Sequence, residues 1–187
     1  MKKETKKQIL TIPNILSFFR LILIPIFIWQ YCIEKNYLAT AALLIISGIT
    51  DIADGFIARH FNMVSDFGKA LDPIADKLTQ FSMLGCLFTR FKEMIIPFIL
   101  IFVKELVTAI LGLLVIKKTH AVKGADWHGK VTTVLLYFVI ILHVLWFDIP
   151  HSISLVLITA CTCMMLLSFI LYCMRHLNTL KNSRYES

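Results

Sequence analysis

An all-α integral membrane protein with six transmembrane helices is predicted, with both termini in the cytoplasm, and three observations carry the prediction. The chain of 187 residues is 58% hydrophobic with a mean hydropathy of +0.77, well above the apolar share of an ordinary soluble domain. Its apolar residues fall into six runs, near 15–33, 38–59, 69–90, 94–116, 130–148 and 150–174. Each run is close to the roughly 20 residues needed to cross a bilayer. With six crossings, 13 of the 19 basic residues lie on the side that holds both termini, which the positive-inside rule makes the cytoplasm. The net charge of +7 would suggest a nucleic-acid partner in a soluble protein, but its distribution here is that of membrane topology. No polar stretch is long enough for a separate soluble domain, so residues 1–187 read as one membrane domain.

The first run follows Lys2, Lys3, Lys6 and Lys7 and is interrupted near its start by Arg20. Residues 1–14 form a cytoplasmic segment, and Thr5–Ser17, with Pro13 and Asn14, is expected to lie as a short interfacial helix. A basic start and the run Leu21–Trp29 also fit a cleaved signal peptide, but Gln30, Tyr31, Cys32 and Ile33 offer no small-residue cleavage site. The second and third runs are continuous only if their aspartates lie within the membrane, and Arg59 and Lys69 flank the turn between them. The fourth contains Lys104 and Glu105 and leads to a loop, 117–128, with Lys117, Lys118 and Lys123. The fifth opens at Lys130. The sixth has no Lys, Arg, Asp or Glu from Ile149 to Met174, and a cytoplasmic tail follows over 175–187. Pro25, Pro97 and Pro150 sit in or beside spans, where neighbouring helices can satisfy freed carbonyls. The five cysteines all fall in apolar runs and read as packing or lipid-facing residues rather than a disulfide or metal framework.

Four carboxylates stand out. Asp51 and Asp54 are three apart and Asp72 and Asp76 four apart, so each pair shares a helix face. Asp51 lies eight residues before Arg59, and Asp76 eight residues after Gly68, roughly 12 Å along a helix in each case. An antiparallel hairpin would bring the pairs to similar depth. Carboxylates are costly inside a bilayer unless paired, hydrated or bound to a cation, and several cannot ionise at close range without compensation. Oxygen-only ligands suit hard cations such as Mg²⁺ or Mn²⁺, and four could hold two ions, an arrangement suited to displacement at phosphorus. Gly55 and Gly68 would let a ligand approach the backbone, and Arg59 near the cytoplasmic mouth could hold a phosphate. The competing reading is an ion-pair network among these acids with Arg59, Lys69 and Lys77.

The pattern D-x-x-D-G-x-x-A-R-x8-G-x-x-x-D-x-x-x-D, met at Asp51, Asp54, Gly55, Ala58, Arg59, Gly68, Asp72 and Asp76, resembles the signature of the CDP-alcohol phosphatidyltransferases. That family transfers a phosphatidyl group from a CDP-linked lipid to an alcohol and releases CMP. The resemblance implies that Asp51, Asp54, Asp72 and Asp76 bind metal, that Asp76 is also the general base, and that Gly55, Ala58, Arg59, Gly68 and Asp72 bind the CDP-lipid. It also implies a homodimer.

Two stretches narrow the acceptor. Thr11-Ile-Pro-Asn-Ile-Leu-Ser17-Phe-Phe-Arg20 and Gly68-Lys-Ala-Leu-Asp-Pro-Ile-Ala-Asp-Lys77 resemble the branch holding phosphatidylglycerophosphate synthases, which use glycerol 3-phosphate, and cardiolipin synthases, which use phosphatidylglycerol. Glycerol 3-phosphate is the expected acceptor; phosphatidylglycerol or an inositol phosphate is the alternative. Lys104, Lys123 and Lys130 are the candidates for the acceptor phosphate, each weighed against a local ion pair or a positive-inside anchor. Trp127-His128-Gly129-Lys130 followed by Thr132-Thr133 partly resembles a Gly-Lys-x-Lys-Thr segment of that branch, with Thr132 where a lysine is expected; Lys104 stands where an arginine is usual. His60, His120, His128 and His176 read as surface or interfacial, and His143 and His151 as lying toward the outer side. A cation transporter would spread acids through the bilayer, whereas here they cluster in its cytoplasmic half. A scaffold would leave them without a purpose. The expected location is the bacterial plasma membrane, with the site opening to the cytoplasm.

Overall fold

Among the described residues six helices follow one another in the computed structural model: α1 (Ile12–Cys32), α2 (Tyr37–His60), α3 (Asp66–Phe88), α4 (Ile95–Thr119), α5 (Trp127–Leu145) and α6 (His151–Asn182), with a short 3-10 turn, Lys92–Met94, before α4. The structure describes residues 11–60, 66–119 and 126–182, with backbone alone at 58, 59, 66, 67, 69, 70, 119 and 182. Five of these helices are long and apolar enough to cross a membrane, which marks an integral membrane protein. The exception is α3, whose sequence carries Asp66, Lys69, Asp72, Asp76 and Lys77.

Local chemistry sets the ends. Thr11 caps α1, its Oγ1 accepting from the Asn14 N–H at 3.4 Å, and Pro13 sits in the first turn, where its missing N–H costs nothing. Thr11–Ser17 therefore runs straight into α1; the earlier part of the expected interfacial helix lies outside the described residues. After α1 the N–H groups of Ile33 and Glu34 both turn back onto the Trp29 carbonyl. Asn36 then caps α2, its Oδ1 accepting from the Ala39 N–H at 3.0 Å. The sequence places the fifth helix at 130–148, but α5 starts at Trp127 because the Asp126 carbonyl accepts from the Gly129 and Lys130 N–H groups. It stops at Leu145; Ile149 precedes Pro150, and a residue before proline is driven out of the helical region. Helix α6 continues well past Met174, because hydropathy measures the apolar length of a helix and not its hydrogen-bonded length.

The chain divides into two compact units. The first holds α1, α2, α3 and the segment Val144–Phe147. Here α1 packs along both α2 and α3, and Leu23, Phe27, Leu44, Ala75, Met83, Leu84 and Leu87 are buried. The Tyr37 ring lies 5.0 Å from Phe147 and 5.4 Å from Tyr31. Cys32 and Cys86 approach to 3.6 Å between sulfurs, and all five cysteines are free.

The second unit holds the 3-10 turn, α4, α5 as far as His143, and α6. Helix α4 packs on α6. Helix α5 is tied to α6 by buried polar pairs. His143 Nδ1 lies 2.8 Å from the Val139 carbonyl and must donate to it, so Nε2 accepts from Ser154 Oγ at 2.9 Å. Buried polar groups cost free energy unless paired, and here each ring nitrogen has a partner. His151 stays exposed, 3.9 Å from Glu93. In both units large apolar side chains point outward, among them Ile22, Phe56, Ile99, Leu113, Val134 and Val156, as hydrocarbon surroundings favour.

Candidate active site

Three of the four conspicuous carboxylates meet on one side chain. Helix α2 carries Asp51 and Asp54 and the second turn of α3 carries Asp72; α1 brings Arg20 between them. The Arg20 guanidinium is 2% exposed and bonds Asp51 Oδ1 through Nη1; its Nη2 lies 2.8 Å from Asp54 Oδ2 and 3.1 Å from Asp72 Oδ1. A buried, uncompensated charge costs several kcal/mol, and the planar fork of a guanidinium is suited to spreading bonds over several carboxylates. Asp54 is as buried as Arg20, whereas the side chains of Asp51 and Asp72 are 46% and 37% exposed, so one side of the cluster is open.

One turn before Arg20 on the same face of α1, the buried Ser17 bonds Asp72 Oδ1 and lies 3.1 Å from the Pro13 carbonyl. Asp76, one turn beyond Asp72, is half-buried, and its Oδ2 accepts from Gln80 Nε2 at 2.9 Å. The convergence expected from a two-helix hairpin is thus organised by a third helix. In the sequence Arg20 is only an interruption of an apolar run, and neither it nor Ser17 nor Gln80 stands out as part of the site. An arginine inside a span was the available signal, since such a charge needs a partner; its partners lie more than a helix away in sequence.

Among the described residues no group of three or more His, Cys, Asp or Glu side chains stands ready-made around a single point for a metal; the carboxylates gather on the guanidinium instead. Their chemistry nevertheless fits a hard divalent cation. The donors are all carboxylate oxygens, three of them converge on one cationic group, and three carboxylates against one guanidinium leave an excess of negative charge.

The other expected residues divide between the units. Gly55 follows Asp54 and is half-buried, and Gly68, one turn before Asp72, is buried. The Ala58 and Arg59 side chains lie outside the described residues, although their backbone closes α2, and so does Lys123. In the second unit Lys104 is 6% exposed, with Nζ 3.2 Å from Glu105 Oε1 and 6.0 Å from the centre of the Tyr172 ring. The local ion pair weighed for it from sequence is therefore present. Lys130 is exposed in the first turn of α5.

His128, which reads from sequence as surface or interfacial, lies inside the protein. It is buried, with Nδ1 3.0 Å from Ser168 Oγ, Nε2 3.5 Å from Asp126 Oδ2, and its ring edge-on to Tyr172 at 4.5 Å. Both nitrogens have partners, which is what allows an imidazole to be buried. Thr132 is likewise structural, donating to the His128 carbonyl at 2.8 Å. Asp126 also accepts from Arg175, and this hydrogen bond to the guanidinium holds its carboxyl below the usual carboxylate range.

Comparison with known proteins places these features. The family model described as CDP-alcohol phosphatidyltransferase matches residues 10–171. A CDP-diacylglycerol–glycerol-3-phosphate 3-phosphatidyltransferase of Aquifex aeolicus is 36% identical over 130 residues, 68% of this chain and 71% of the relative. A Mycobacterium tuberculosis protein named "probable phosphatidylglycerophosphate synthase" is 32% identical over 169 residues, 83% of this chain and 76% of its own. A Schizosaccharomyces pombe fusion of cardiolipin synthase (CMP-forming) with a mitochondrial hydrolase is 36% identical over 90 residues, 48% of this chain and 15% of the fusion.

Proposed function

The chain belongs to the CDP-alcohol phosphatidyltransferase family and is a transferase of that class, and from this premise we propose that it transfers a phosphatidyl group from CDP-diacylglycerol to glycerol 3-phosphate, giving phosphatidylglycerophosphate and CMP. The observation that carries the reading is the gathering of Asp51, Asp54 and Asp72 at one partly open point, with Asp76 a turn away on α3. Relatives named for the glycerol 3-phosphate reaction support this acceptor. The cardiolipin synthase relative favours phosphatidylglycerol as the second reading.

Asp51, Asp54, Asp72 and Asp76 would hold the divalent ions, two of Mg²⁺ or Mn²⁺. When bound, the ions offset charge on the pyrophosphate and polarise the phosphorus under attack. The remaining steps belong to the side chains. Gly55 and Gly68 flank the acids and, with Ala58 and Arg59, are assigned to binding the CDP group. Gln80 fixes the Asp76 carboxylate through Oδ2. Asp76 takes the proton of the acceptor hydroxyl as that oxygen bonds to the phosphorus bearing diacylglycerol; the bond from that phosphorus to the CMP oxygen breaks, and CMP leaves with the electron pair. Lys104, Lys123 and Lys130 are assigned to the acceptor phosphate, Lys104 by exchanging its contact with Glu105. Inositol phosphate would use the same cations.

In this reading α3 is a sixth crossing whose Asp72 and Asp76 face protein rather than lipid, and the distribution of basic residues argues for both termini and the mouth of the site in the cytoplasm of a bacterial plasma membrane. A homodimer is part of the same proposal. The test is CMP release by purified protein from CDP-diacylglycerol and glycerol 3-phosphate. Release should require Mg²⁺ or Mn²⁺ and vanish on chelation. Full turnover in excess chelator would sink the metal assignment.

A further inference from the structure

We propose that Arg20 is a positioning residue for metal binding: through one guanidinium it orients the three carboxylates of Asp51, Asp54 and Asp72 so that each presents its other oxygen to a divalent cation. The inference rests on the reading above.

Arg20 takes a single oxygen from each acid, Oδ1 of Asp51, Oδ2 of Asp54 and Oδ1 of Asp72. The second oxygen of each lies outside these bonds. Ser17 adds to the arrangement by bonding the same Asp72 oxygen that Arg20 holds, so both α1 contacts fall on one edge of that carboxylate. Carboxylate ligands are ordinarily held by such outer hydrogen bonds, and losing one typically weakens metal affinity about 10–100-fold. The side chain is 2% exposed, so it takes no part in solubility, and among the described residues its buried Nε has no hydrogen-bond partner. A lysine would keep the charge but could not reach three acids from one rigid plane. Because the acids come from α2 and α3 and the cation from α1, the metal site is assembled only when three helices are in register.

The experiment is Mn²⁺ titration of the purified protein, following free Mn²⁺ by electron paramagnetic resonance, with melting temperature measured alongside without metal. Wild type should bind Mn²⁺ at the acid cluster, as judged by loss of binding in Asp54→Asn. Arg20→Gln should weaken the Mn²⁺ Kd by about 10–100-fold. Arg20→Lys should keep most of that loss, because charge without the fork does not orient the acids. Ser17→Ala should weaken binding by up to about 10-fold, the low end of that range, because Arg20 still holds the same Asp72 oxygen. In turnover, kcat should largely recover at saturating Mn²⁺ while the Mn²⁺ requirement rises. A folded Arg20→Gln that binds Mn²⁺ as wild type does would reduce Arg20 to a structural ion pair and overturn the inference; tighter binding would make it a competitor of the metal and overturn it equally. If Arg20→Gln does not fold, Arg20→Lys and Ser17→Ala carry the test, and wild-type affinity in both overturns the inference. If wild type binds no Mn²⁺, the reading of the site falls and this inference with it.

Discussion

Replacing Gly129 with alanine is a sharp probe of how the second unit is packed. Gly129 lies in the first turn of α5, and a Cβ there would meet the Tyr172 hydroxyl and come within 3.1 Å of two carbons of its ring. The ring cannot retreat freely. Its hydroxyl accepts from the Asp126 N–H at 3.1 Å, His128 lies edge-on at 4.5 Å, and the Lys104 ammonium sits 6.0 Å from its centre. Overpacking of this kind costs about 1–3 kcal/mol, and losing the bond to Asp126 adds about 1 kcal/mol. The helix propensity of alanine over glycine returns up to about 1 kcal/mol. The net expectation for Gly129→Ala is a loss of about 1–3 kcal/mol, a fall of several degrees in melting temperature for a chain of this size. Tyr172→Phe should cost about 1 kcal/mol alone. The double variant should melt higher than the sum of the two predicts, because the hydroxyl that clashes is gone. Thermal unfolding in detergent reads all three. A Gly129→Ala protein at least as stable as wild type, or a strictly additive double variant, would refute this packing.

The remaining predictions concern the chemistry. Asp76→Asn should leave the fold intact and lower kcat roughly 10²–10⁴-fold, the usual worth of a general base; appreciable CMP release by that variant would remove Asp76 from the role. Lys104→Ala and Lys130→Ala should raise KM for a phosphorylated acceptor more than for CDP-diacylglycerol, and equal effects on both would make the lysines structural. For the pair of Asp126 and Arg175, the carboxyl is held below its unfolded value, so its stabilisation is full above about pH 4 and is lost as pH falls through the lower folded value. Arg175→Gln should soften the acid side of the stability profile by no more than about 1 kcal/mol, since the pair is partly exposed; melting curves between about pH 3 and pH 7 check this.

The helices were legible because a bilayer imposes apolar runs of near-constant length, and the acids were legible because they violate that pattern. Helix ends were less so: the start of α5 depends on the backbone carbonyl of Asp126, and the far end of α6 lies in a polar stretch that hydropathy cannot see. The acids' separation from Arg59 and Gly68 placed all four at similar depth in a hairpin, but gave no sign that α1 would supply the cation on which Asp51, Asp54 and Asp72 meet. Spacing rules report neighbours on one helix, whereas Arg20 joins partners on two other helices. His128 was misjudged for a related reason. Its burial depends on Ser168, which lies forty residues away on α6, so nothing local distinguishes it from a histidine at the membrane surface.

The measurement that bears most directly on the central claim sets acceptors side by side. Purified protein is given CDP-diacylglycerol with Mg²⁺ or Mn²⁺ and, separately, glycerol 3-phosphate, phosphatidylglycerol, inositol phosphate or serine, and both CMP and the lipid product are quantified. The account predicts CMP and phosphatidylglycerophosphate in equal amounts with glycerol 3-phosphate alone. Product with phosphatidylglycerol instead would contradict the acceptor assignment while keeping the chemistry, and no CMP with any acceptor would contradict the account as a whole.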